Sequence, residues 1–289
     1  MTVPPATESN LPDNLHVYEP SNGGRSLVER MEQKYFVAPA WMGQALALLR
    51  RTCRWDGQYP EEQVNSLYFD TSNLDQHQRS LAGEFAKDKV RIRWYGSEHD
   101  PHGSALSPQN ETVAVWLELK SRRGFASTKQ RKALQVPAAA LAPGELAAGI
   151  VPHATLMRCM AEFGFFSARP LYPVIAVSYW RCRFVEPRTG LHVALDSRIR
   201  SSAARPGIGR GERGLLLPGA VVEVKGPSAE LPVCLRRIAE LGSSWTRYSK
   251  YSSSLDAHAS ELGSVSRLWP SGTVHAEPCV EAPKTELER

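Results

Sequence analysis

Lysine, arginine and glutamate recur two residues apart along this chain, and that spacing decides what they can do together. In an extended strand, side chains alternate between two faces. Over residues 87–95 (Lys-Asp-Lys-Val-Arg-Ile-Arg-Trp-Tyr), Lys89, Arg91, Arg93 and Tyr95 share one face and Val90, Ile92 and Trp94 the other. The pattern returns at 30–35, 116–122, 129–131, 179–183, 195–198 and 221–225. One inward face per strand gathers Arg30, Lys34, Lys89, Arg91, Arg93, Lys120, Arg122, Lys129, Arg131, Arg181, Arg183, Arg198 and Lys225, with Glu32, Glu118, Asp196 and Glu223 in register. Such an excess of cations suits a chain of phosphates. Arginine matches phosphate oxygens bidentately and lysine supplies a mobile point charge. The carboxylates either pair with the surplus arginines or hold a divalent metal, since Mg²⁺ and Mn²⁺ take oxygen ligands and share their shell with substrate and water. Glu32 and Glu223, on the first and last strands, are the best metal candidates if those strands are neighbours.

Other chemistry finds little support. The eight histidines show no paired spacing, and no P-loop, nucleophile elbow or dinucleotide fingerprint is present. Asp70, in Phe69-Asp70-Thr71, reads as a turn or cap residue. Tyr68 and Tyr179 read as core aromatics with a satisfied hydroxyl. A nucleic-acid binder would interleave exposed aromatics with its basic residues; Trp94, Trp116 and Trp180 are expected on faces opposite the charges, and no nucleic-acid partner is expected.

The 289 residues, 42% of them hydrophobic, can bury one large core or two modest ones. The net charge of +5 is unevenly spread. Residues 1–24 carry three acids and no Lys or Arg, and residues 256–289 carry six acids against three basic residues. The segment 25–255 is therefore strongly basic and expects a polyanionic partner. Five scattered cysteines without metal spacing read as small buried apolar residues in a reducing compartment. The N-terminus is polar and nothing approaches the ~20 apolar residues of a membrane-spanning helix. A cytoplasmic protein without membrane insertion is expected.

The elements that must position the charges follow from pattern. Residues 1–24, rich in Pro, Asn and Gly, read as a disordered lead-in. Strands are expected at 29–37, 65–71, 87–95, 113–122, 129–136, 173–185, 191–198 and 221–225, the last of them closing the set. Helical periodicity marks 41–53, 74–81, 137–150, 154–165 and 231–241. The stretch 96–112 reads as a surface loop, as does 205–214, and the chain after about 256 as an acidic disordered tail. The expected class is α+β: an eight-stranded antiparallel β-barrel with flanking helices. Closure removes the edges and collects the charged faces in one lumen.

With those residues laid out, the chain resembles the VTC (vacuolar transporter chaperone) domain, the polyphosphate polymerase branch of the triphosphate tunnel metalloenzymes. The matching pieces are Glu32-Gln33-Lys34-Tyr35, residues 66–71, 89–95 and 117–120, then 195–200, Val222-Glu223-Val224-Lys225 and Tyr248-Ser249-Lys250-Tyr251, in the family's order across about 27–253. The resemblance implies a tunnel gripping a triphosphate. Lys34, Arg91, Arg93, Lys120, Arg181, Arg198, Lys225 and Lys250 would bind phosphates, with Ser249 beside them, and Lys34, Arg91, Arg93, Glu223 and Lys225 would stand nearest the reaction. Glu223 would be the principal ligand of Mn²⁺ or Mg²⁺, helped by Glu32 and Glu118. The implied reaction moves the ATP γ-phosphoryl group onto inorganic polyphosphate. Hydrolysis of tripolyphosphate or nucleoside triphosphates, or a non-catalytic polyphosphate or nucleotide sensor, are the alternatives.

Overall fold

The computed structural model describes residues 31–96, 112–124, 126–205, 208, 214–226, 230–244 and 248–260. In chain order the strands and helices are β1 (Met31–Val37), α1 (Met42–Thr52), β2 (Arg54–Trp55), β3 (Glu61–Asp70), α2 (Asp75–Leu81), β4 (Ala86–Gly96), β5 (Thr112–Arg123) and β6 (Ala126–Pro137). They continue with α3 (His153–Glu162), β7 (Tyr172–Val185), β8 (His192–Ala203), β9 (Leu215–Leu217), β10 (Ala220–Gly226), α4 (Arg237–Leu241), β11 (Gly242–Ser244) and α5 (Lys250–Ser260). Each of the eight strands expected from alternation is present. The three additional strands are only two or three residues long, too short to show a period.

All pairings in the sheet are antiparallel, in the order β11-β1-β10-β8-β7-β3-β4-β5-β6. Among the described residues the main-chain ladder does not close: it ends at β6 on one side and β11 on the other. The expected antiparallel barrel with flanking helices is present as a strongly curled sheet, and among the described residues side chains span its seam. Six inter-strand steps separate β1 from β5, which in a flat sheet would be about 29 Å. Yet Lys120 Nζ of β5 lies 3.0 Å from Glu32 Oε2 of β1. Only a strongly curled sheet permits that contact. The free edge at β6 carries Lys129, Arg131 and Lys132, charges that discourage pairing with another chain.

The convex side carries two apolar clusters. Val90, Ile92, Trp94, Val115, Leu117 and Leu119 pack with Leu156 and Met160 of α3. Tyr35, Val37, Val222 and Val224 pack with Leu49 of α1 and Ile238 of α4. A third cluster lies where α5 enters the curl: Tyr251 and Leu255 meet Phe36, Val64, Tyr68, Val177 and Ile199. Alternation thus sends aliphatic residues outward to the helices, and the inward face divides between an apolar stretch under α5 and a charged stretch beside it.

Two expected helices differ, and one helix was not expected. Residues 138–148 form two 3₁₀ turns (Ala138–Leu141 and Pro143–Ala148), because Pro143-Gly144 interrupts an otherwise Ala-rich run. Residues 233–241 likewise begin as a 3₁₀ turn before α4. At the C-terminus, α5 continues to Ser260, past the position where the tail was expected, and Ser254, Leu255, Ala257 and His258 on it are buried. Arg30, the loop 97–111 and the acidic segments 1–24 and 261–289 lie outside the described residues. Among the described residues no helix is long and apolar enough to cross a membrane.

Asp70 fastens α5 to the rest. Its fully buried carboxylate accepts the backbone N–H groups of Thr71, Gln76 and His77, capping the start of α2 from the preceding strand. The Tyr251 hydroxyl of α5 donates to the same carboxylate at 2.6 Å. Tyr251→Phe is expected to lower stability by about 1.5–3 kcal/mol, the worth of a hydrogen bond to a charged group. Asp70→Ala, which also orphans buried N–H groups, is expected to cost more, and the double variant less than the two effects combined. Thermal denaturation of the three variants checks this; equal and additive small effects would contradict it.

Candidate functional site

The charged stretch of the inward face is assembled from seven of the long strands and the lead-in to α5. Strand register decides its membership. Glu32 and Lys34 of β1 lie opposite Lys225 and Glu223 of β10, so the first and last long strands are indeed neighbours. Arg91 of β4 lies opposite Tyr68 of β3 and Glu118 of β5. Arg181 of β7 lies opposite Asp196 of β8.

Four carboxylates organise the cations into two groups. Asp196, fully buried, takes Arg181 in a two-pronged pair at 2.6 Å for both Nε and Nη2, and lies 2.5 Å from Lys250 Nζ. Glu223 holds the same two cations, Arg181 at 2.9 Å and Lys250 at 3.0 Å, with Lys225 at 3.6 Å. Glu32 sits at the seam between Lys120 at 3.0 Å, Lys225 at 3.8 Å and Lys34 at 3.9 Å. On the other wall, Glu118, also fully buried, pairs with Arg91 at 2.7 Å and with Lys129. The Tyr68 hydroxyl accepts from Arg91 at 3.1 Å, and the Tyr179 and Ser66 hydroxyls accept from Arg93 at 3.3 and 3.2 Å.

The stretch Tyr248-Ser249-Lys250 ties these walls together. The Tyr248 carbonyl accepts from Lys34 Nζ at 3.1 Å and the Ser249 hydroxyl from Lys89 Nζ at 2.7 Å. Lys34 is on β1 and Lys89 on β4, so three consecutive residues reach across the lumen.

The electrostatics follow from crowding. Burial alone would push the Glu118 carboxyl up, but Arg91, Arg93 and Lys129 hold it down at about 2. Glu223 is likewise driven well below the usual carboxylate range: Lys250, Arg181 and Lys225 outweigh the burial that opposes them. Lys250 is raised, since Asp196 and Glu223 overcome its burial. Lys89 moves the other way. Burial lowers it, and Lys34, Lys120 and Arg91 lower it further. Burial also brings Lys129 down to about 8 despite Glu118 beside it. Lys34, Lys89, Arg91, Arg93, Lys120, Lys129, Arg181, Lys225 and Lys250 outnumber the four acids roughly two to one, and a concave surface so charged calls for a multivalent anion.

Several expected phosphate ligands are placed elsewhere. Arg198 sits on a β-bulge with φ of 51°: Arg198 and Ile199 together oppose Tyr179, and the buried Ile199 takes the inward position while Arg198 is exposed. Arg183 is engaged by Glu62 and by the Tyr59 carbonyl. Arg122 donates to the Gly124 carbonyl of its own hairpin turn at 2.8 Å. Arg131 is exposed and lies with its guanidinium carbon 4.5 Å from the Trp116 ring centroid. Trp116 is itself a correction: it shares parity with Glu118 and Lys120 and faces inward, whereas Trp94 is buried in the outer core and Trp180 packs on the other outer cluster.

The metal candidates also divide. Glu32 and Glu223 are close enough to repel one another electrically, while Glu118 belongs to the opposite wall with Arg91. Among the described residues no cluster of three or more His, Cys, Asp or Glu side chains forms a metal cage. The pair Glu32 and Glu223 nevertheless fits a hard divalent cation that takes one or two carboxylates and completes its shell with phosphate oxygens and water. Asp196, one of the four in-register carboxylates, takes the first of the two roles open to them and pairs with an arginine, Arg181.

A family model, the VTC domain, matches residues 29–258. No curated protein matches the chain significantly. Among solved structures the chain is similar to a candidate adenylate cyclase from Bacillus halodurans (16% identity, 69% of this chain and 81% of that one, TM-score 0.40). It is also similar to a candidate adenylyl cyclase from Hippeastrum described as having a dominant triphosphatase activity (19% identity, 73% and 83%, TM-score 0.34). A candidate adenylate cyclase from Vibrio parahaemolyticus is a further match (11% identity, 81% and 87%, TM-score 0.34). Likenesses so distant carry no argument about activity, and the assignment rests on the domain match, which spans every long strand from β1 to β10 and most of α5. The chain belongs to the VTC domain family, and with it to the tunnel-fold proteins that handle phosphoryl groups.

Proposed function

We propose that this domain is a polyphosphate polymerase that transfers the γ-phosphoryl group of ATP to the end of an inorganic polyphosphate chain. The observation that carries this reading is the setting of Lys89. Burial lowers its pKa and the crowding of Lys34, Lys120 and Arg91 lowers it further, while its hydrogen-bond partner is a neutral hydroxyl. Among the described residues no carboxylate pairs with it. Cations held together against their own repulsion are stabilised by a polyanion that lies between them.

In the transfer, a terminal oxyanion of the polyphosphate chain forms a bond to the γ-phosphorus as the bond to the β–γ bridging oxygen breaks, and ADP leaves. The acceptor oxyanion is already a nucleophile, so the task is positioning and charge neutralisation. Lys34, Arg91, Arg93 and Lys225 would face the reacting phosphates, with Lys89, Lys120, Lys129, Arg181 and Lys250 along the chain. Asp196 and Glu223 hold Arg181 and Lys250 in place. Glu223 and Glu32 would hold Mn²⁺ or Mg²⁺, which supplies neutralisation of phosphate oxygens when bound.

With ATP and Mn²⁺ or Mg²⁺, the purified protein is expected to accumulate ADP and long-chain polyphosphate together. Glu223→Ala or a chelator should lower that rate by roughly 100-fold or more. Free phosphate without polymer would reassign the tunnel to hydrolysis. A second expectation concerns pH. Bound phosphate raises the pKa of Lys129 from about 8, so binding takes up a proton above that pH and affinity for tripolyphosphate falls as pH rises through about 8. Titration calorimetry at a series of pH values should show this fall, and it should flatten in Lys129→Arg, which stays charged. An identical profile in the two proteins would remove Lys129 from the phosphate path.

A further inference from the structure

We propose that Trp116 is the stacking platform for the base of a purine nucleotide whose phosphates lie along Arg93 and Arg91; this deepens the polymerase reading and rests on it. The register of β5 places Trp116 on the lumen face, one alternation from Glu118, directly opposite Arg93 of β4 and Ala133 of β6. Directly opposed residues have Cβ atoms about 4.5–5.5 Å apart, so on one side the indole lies beside the stem of Arg93, whose guanidinium reaches on to Ser66 and Tyr179. On the other it adjoins a single methyl group, and no bulky side chain from the facing position of β6 crowds it.

The ring is half-buried, and the Arg131 guanidinium carbon already lies 4.5 Å from its centroid. A planar guanidinium over an indole occupies the kind of space that a planar base takes. Arg131 is long and exposed, so it can withdraw from the ring or close over a base seated there. With Arg93 beside the ring and Arg91 one alternation further, the phosphates run along β4 and the ribose spans the step to the indole. The other two tryptophans of the strand pattern, Trp94 and Trp180, are committed to the convex clusters and offer no such face.

The test compares dissociation constants of ATP, CTP and inorganic tripolyphosphate for wild type, Trp116→Ala and Trp116→Phe, with folding monitored by thermal denaturation. Trp116→Ala is expected to weaken ATP by about tenfold, CTP by less, and tripolyphosphate by under about twofold. Trp116→Phe, which keeps a ring, should recover most of the ATP affinity. ATP and tripolyphosphate weakened in equal proportion, or neither weakened, would overturn the base platform while leaving the phosphate site standing. Wild type that fails to bind tripolyphosphate would overturn the phosphate reading and this inference together.

Discussion

The structure depends on a surplus of positive charge held at close quarters and only partly neutralised from within. Four carboxylates keep the array from flying apart. Glu32 joins the β1 side of the curl to Lys120 of β5, Asp196 and Glu223 clamp Arg181 and Lys250, and Glu118 clamps Arg91 and Lys129. Pairs that are buried this way gain little net stability, because desolvation offsets most of the attraction. Their value is geometric. A guanidinium fixed by two oxygens presents its remaining N–H groups in one direction, and a lysine wedged between two acids stays charged at any physiological pH.

Among the described residues that arrangement also bridges the two ends of the open ladder. A fully hydrogen-bonded barrel of eight strands would have a fixed bore. Here the seam between β1 and β5 is spanned by Glu32 with its lysines, and by the Tyr248-Ser249-Lys250 crossing that reaches Lys34 and Lys89. Glu32 and Glu223 would hold a divalent ion, whose positive charge would add to that of Lys225 and Lys34 beside the same carboxylates.

How much of this the sequence announces depends on distance along the chain. The eight long strands and the charged parity of β4, β5 and β10 are local, period-two signals and are legible. So is the neighbourhood of Glu32 and Glu223. Arg198 is misread because a bulge inserts one residue and turns Ile199 inward, a change no alternation shows. Trp116 is misread for the opposite reason: its parity is plain, and its apolar bulk argues for the core. The Tyr251–Asp70 hydrogen bond joins positions 181 residues apart, so Asp70 is legible as a cap and α5 is not legible as the element that it anchors. Pro143 and Gly144 do announce the break in 138–148, against an alanine content that argues for helix.

The claim that an unbalanced cation array awaits a phosphate chain is tested most directly by thermal denaturation of the full chain against increasing tripolyphosphate, with orthophosphate at equal ionic strength as the control. A ligand that binds the folded state raises the midpoint by mass action, about 2.7 kcal/mol at a hundred times its dissociation constant. The account predicts a large, saturating rise with tripolyphosphate and a small one with orthophosphate, since a chain of three phosphates carries more charge and reaches more of the cations than one phosphate does. Equal small rises with both, or none, would contradict it.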